Sequence, residues 1–75
     1  MSLSDERLIE QLCQEHEEFK QVFQEHREYD RQLGSFAGKI FLTADEKLNV
    51  ARLKKLKLKA KDRMFWLMTE YAKLQ

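Results

Sequence analysis

Apolar positions along this 75-residue chain recur at helical spacing. In the first half Leu8, Leu12, Phe19, Val22, Phe23, His26, Leu33 and Ala37 share one stripe at about 100° per residue, which Glu15 and Asp30 interrupt. Ser4, followed by Asp5 and Glu6, reads as an N-cap with acids in the first turn, where the helix dipole favours them. Gly38 is a natural C′ residue because glycine enters the left-handed conformation cheaply, and Gly34 offers a stop one turn earlier. The pattern therefore predicts a first helix over about 4–37 and a tip over 38–43. Thr43-Ala-Asp-Glu46 has the form of a capping box and predicts a second helix over about 44–74. That helix has a main stripe (Leu53, Leu56, Ala60, Met64, Leu67, Tyr71, Leu74) and a flanking one (Ala51, Leu58, Phe65, Met68, Ala72).

One segment reads differently at first sight. From Lys55 to Lys61 lysine alternates strictly with an apolar residue, as in a strand. No turn residue bounds the segment, so the alternation is a local consequence of a helix with two apolar faces. Each helix would span about 50 Å at about 1.5 Å per residue. The five-residue connection Gly38–Leu42 makes the two helices antiparallel neighbours.

Composition agrees with this picture. Proline is absent and glycine occurs twice, which leaves little turn chemistry, and a chain 36% charged yet 43% hydrophobic fits long helices rather than disorder. A hairpin of this size buries only one seam. Leu58, Phe65, Met68, the outer sides of Phe19 and Phe23, and the Ile40-Phe41-Leu42 tip would then remain uncovered. The expected fold is all-α: a long antiparallel two-helix hairpin, coiled-coil-like, assembling into a four-helix bundle as a homo-oligomer. Phe19, Phe23, Leu58, Phe65, Trp66 and Met68 are its candidate interface residues.

Charge sharpens the expectation. Residues 1–37 hold nine acids and four bases, and residues 38–75 hold ten bases and four acids, so the halves carry −5 and +6. They can neutralise each other within a chain or between chains. Cys13, a lone cysteine, forms no disulfide within the chain and suits a reducing compartment. The N-terminus lacks the basic and apolar regions of a signal peptide, and the longest apolar run, Met64–Met68, is far short of a membrane span. A cytoplasmic protein is expected.

Two stretches carry a family resemblance. They are Phe19-x-x-Val22-Phe23-x-x-His26-x-x-Tyr29-Asp30-x-x-Leu33 and Leu53-Lys-Lys-x-Lys57-Leu58-x-Ala60-Lys61-Asp62. Together they resemble the two halves of the small bacterial YdcH-like proteins over about residues 15–70, departing at Tyr29 and Ala60, where that pattern has leucine. The resemblance implies a helical hairpin, bacterial and cytoplasmic, and no established activity.

Four groups of residues are candidates for chemistry or binding. His26 and Asp30, four apart on the apolar stripe, form a polar node that would set helix register, with Arg52 or a lysine reaching Asp30; a tuned acid–base pair and a plain solvent-facing pair are the alternatives. Cys13 and His16 supply at most two ligands of the four zinc needs, so a metal would require a site shared across an oligomer; the simpler reading is a buried thiol and a partly exposed imidazole. Lys54, Lys55, Lys57, Lys59 and Lys61 make a candidate anion-binding patch, and nucleic-acid binding is the alternative function. These lysines spread around the helix, however, and several should meet Glu15, Glu18 and Glu25. A membrane-surface role for Phe65, Trp66 and Met68 beside the lysines is a further alternative. No nucleophile–base set, phosphate loop or paired-carboxylate cleft is visible, so a non-enzymatic interaction module without a cofactor is expected.

Overall fold

The computed structural model describes residues 6–73, all of whose regular structure is helical. The expected Ser4 cap and the stripe residue Leu74 lie outside them. Three helices replace the expected two: α1 (Glu6–Glu15), α2 (Glu17–Gly34) and α3 (Ala44–Lys73).

The first helix is broken at His16, whose backbone is extended at φ −129°, ψ 106°. The break is itself capped. The His16 Nδ1 accepts a hydrogen bond from the Phe19 amide at 3.3 Å, and Glu17 and Glu18 place negative charge in the new first turn. Between Cys13 and Phe19 every residue is polar, so a turn there exposes nothing apolar. Its benefit is burial. α1 turns back until Ile9 and Cys13 line one groove with Phe23 and Arg27 of α2. Leu12 then joins Phe19, Met64, Leu67 and Met68 in a single core cluster, with Leu8, Ile9, Val22, Phe23 and Tyr71 packed around it. Each side chain so covered contributes roughly 1.5–3 kcal/mol.

α2 and α3 run antiparallel, as the Glu18–Arg63 and Asp30–Lys57 ion pairs show. Leu53 and Ala60 carry the core along α3 toward the connection. The α3 start has the reciprocal hydrogen bonds of a capping box: Glu46 N–H donates to Thr43 Oγ1 at 3.1 Å, and Thr43 N–H donates to Glu46 Oε1 at 3.0 Å.

The end of α2 corrects the reading of the glycines. α2 stops at Gly34 and runs on through Ser35–Gly38 in turns held by i→i+3 bonds, such as Phe36 N–H to Leu33 C=O and Ala37 N–H to Gly34 C=O. Neither glycine has positive φ. The end is closed by tightening the helix, not by a left-handed residue at Gly38.

Candidate interaction surface

The helical period spreads apolar residues around the whole of α3, and α1 and α2 cover only part of it. Four large apolar side chains stay outside: Leu48 is 71% exposed, Leu58 58%, Trp66 51% and Phe65 49%. They fall on two lines. Leu58 and Phe65 are seven residues apart, two turns along the helix; Leu48 and Trp66 are eighteen apart, five turns. Trp66 lies under the Arg63 guanidinium, 4.6 Å from the ring, and Arg63 is also held by Glu18. Ile40 and Phe41 at the tip are almost fully exposed.

Two of the expected interface residues are not on this surface. Phe19 and Met68 are fully buried by their own chain, because the folded-back α1 fills the space a straight helix would have left open. Phe23 is half-buried, stacked on Phe19 with ring centroids 6.2 Å apart, and Arg27 lies over its ring. With Met68 buried, the apolar group proposed for a membrane surface loses one of its three members. Leu48 falls on neither apolar stripe, so periodicity does not single it out.

At Asp30 the partner is a lysine, one of the two cation types expected there, and not Arg52. Asp30 accepts from Lys57 Nζ at 2.5 Å, which draws its carboxyl below the usual range, while Arg52 instead donates to Asn49 Oδ1 at 3.4 Å. Arg52 therefore leaves the node. Lys57 stands more than a turn beyond Arg52 on α3, and its long stem reaches the carboxylate. His26 is half-buried beside the pair. Burial lowers its pKa first of all; Lys57 and Lys61 lower it further, and Asp30 partly opposes them.

Lys57 is thus the one member of the lysine patch engaged by an acid among the described residues. Lys54, Lys55, Lys59 and Lys61 are exposed and enter no ion pair there. Of the acids expected to meet them, Glu18 binds Arg63 and Glu15 accepts from the Tyr71 hydroxyl at 2.7 Å. Cys13 is half-buried rather than buried, and burial raises its thiol pKa, which works against a reactive thiolate. His16 uses Nδ1 in the helix cap. No group of three or more His, Cys, Asp or Glu side chains placed to hold a metal occurs among the described residues. Nor is any described helix long and apolar enough to cross a membrane.

Residues 19–68, two thirds of the chain, match the family described as "Protein of unknown function (DUF465)". The chain belongs to the DUF465 family. The matched span holds most of α2, the tip and most of α3, so nearly all of the antiparallel pair and the four exposed apolar side chains of α3 lie inside the family region, while α1 lies outside it. No curated protein and no solved structure matches the chain.

Proposed function

We propose that this DUF465 protein is a non-enzymatic protein–protein interaction module of the cytoplasm: a helical hairpin, extended by α1, that self-associates and serves as a scaffold or regulator. One observation carries the reading. After α1 and α2 have packed, α3 still presents Leu48, Leu58, Phe65 and Trp66 to solvent, with Leu58 and Phe65 two turns apart on one side of the helix. A helix apolar on more than one side fits a bundle larger than its own chain provides. The likeness of the Phe19–Leu33 and Leu53–Asp62 motifs to YdcH-like proteins agrees with a hairpin of this kind.

Sedimentation equilibrium at micromolar concentration tests self-association. A mass at least twice the 9.1 kDa of one chain is expected, and a clean monomer would refute it. Nucleic-acid binding is the second reading, favoured by Lys54, Lys55, Lys59 and Lys61 of α3, which enter no ion pair among the described residues. It requires a mobility shift at about 50 mM salt that fades as salt rises. The absence of a shift under those conditions removes it.

A further inference from the structure

The two sides of the α2–α3 seam differ. On one side α1 closes over Phe23 and Arg27. The other side is an open groove that α1 does not reach. Its floor is Val22 and Tyr29 from α2 and Leu56 and Ala60 from α3. Val22, Tyr29 and Leu56 are only partly buried. The lips of this groove carry opposite charge: Glu25 on α2, Lys59 and Arg63 on α3. Arg63 is held by Glu18 and lies over Trp66. Glu25 and Lys59 are exposed and enter no ion pair among the described residues.

We infer that a second copy of this chain docks in the groove, with α2 of each copy beside α3 of the other. The inference rests on the self-association proposed above and names its face. Two-fold symmetry applied to an antiparallel pair with one acidic and one basic lip sets acid against base twice, and it covers the floor of each groove with that of the partner. Glu25 of one copy then faces Lys59 of the other. Trp66, beneath Arg63 at the edge of the same lip, borders the contact.

The rival face is disfavoured by its own charges. On the helix surface Leu58 is flanked at three and four residues by Lys54, Lys55 and Lys61, with Asp62 as the one acid. Two copies meeting along the Leu58–Phe65 line would bring these lysines together. Electrostatics thus assigns the groove, and not that line, to the second copy.

Glu25→Lys and Lys59→Glu, followed by analytical ultracentrifugation, test the assignment. Each variant alone is expected to weaken self-association by about tenfold or more, since like charges then meet across the interface. An equimolar mixture of the two should recover wild-type association. In the mixed pair the two substituted positions face each other at one symmetric contact, and the two unsubstituted positions face each other at the second, so both contacts join opposite charges. A defect arising within one chain would not be recovered by mixing. If the wild type associates but the charge variants do so equally well, or if mixing recovers nothing, the groove is the wrong face while self-association stands. A monomeric wild type overturns both.

Discussion

His26 occupies a half-buried position between α2 and α3, facing Asp30 on its own helix and Lys57 and Lys61 across the seam. Burial and the two ammonium groups hold its pKa below the ordinary imidazole value. The consequence for stability has a definite sign. In the window between the folded value and about 6.5, the unfolded chain binds more protons than the folded one. The neutral imidazole's contribution is complete above about 6.5 and is lost as pH falls through that value toward the folded one. Asp30, whose carboxyl is lowered chiefly by the Lys57 hydrogen bond, acts in a separate window below about 4. The urea midpoint of the wild type is therefore expected to fall between about pH 7.5 and pH 5.5, and His26→Gln should reduce that fall. An equal drop in both proteins would show that the imidazole is not its source. At this scale the sequence is informative where partners are close along the chain. The Thr43–Glu46 box and the Asp30–His26 pair both follow from spacings of three and four. It does not choose Lys57 over Arg52, because that choice depends on how far one helix is displaced along another.

At the scale of elements the two glycines and His16 are the instructive cases. Composition makes a glycine near a helix end look like a left-handed stop, yet Gly34 closes α2 with negative φ, and a Cβ built there meets nothing within 4 Å. Glycine's conformational freedom is thus unused. Gly34→Ala is expected to stabilise the fold by roughly 0.4–1 kcal/mol, mainly by restricting the unfolded chain. A thermal melt that moves down rather than up would mean a tighter site than the structure has. His16 is the opposite case. Nothing in its residue type marks a break, and the only warning is Glu15 standing on the apolar stripe. The helix turns there because folding α1 back puts Leu8 and Leu12 against Phe19, Met64 and Met68, a gain that periodicity within one helix does not register.

For the whole molecule the governing fact is that α3 is longer and more apolar than its own chain can cover. α1 shelters the stretch around Met64–Met68, and Leu48, Leu58, Phe65 and Trp66 remain outside. Surface ion pairs such as Glu18–Arg63 each add about 0–1 kcal/mol and do not replace that missing cover. If a second copy covers part of this surface, along the groove that Trp66 borders, folding and association are linked, and the melting temperature must rise with protein concentration. Melts at concentrations about a hundredfold apart check this; coincident transitions would count against a folded oligomer.

Local spacing was enough to set the helical character of α3, the residue at which it begins, the polarity of charge between the halves, and the antiparallel return that a short connection imposes. These depend on neighbours three or four residues apart and on chain length. The reversal at His16, the burial of Phe19 and Met68, and the open groove between α2 and α3 came only with tertiary packing. The period of a helix states which residues share a face. It does not state which of several apolar faces wins a partner, and around α3 that was settled by where the first ten-residue helix came to rest.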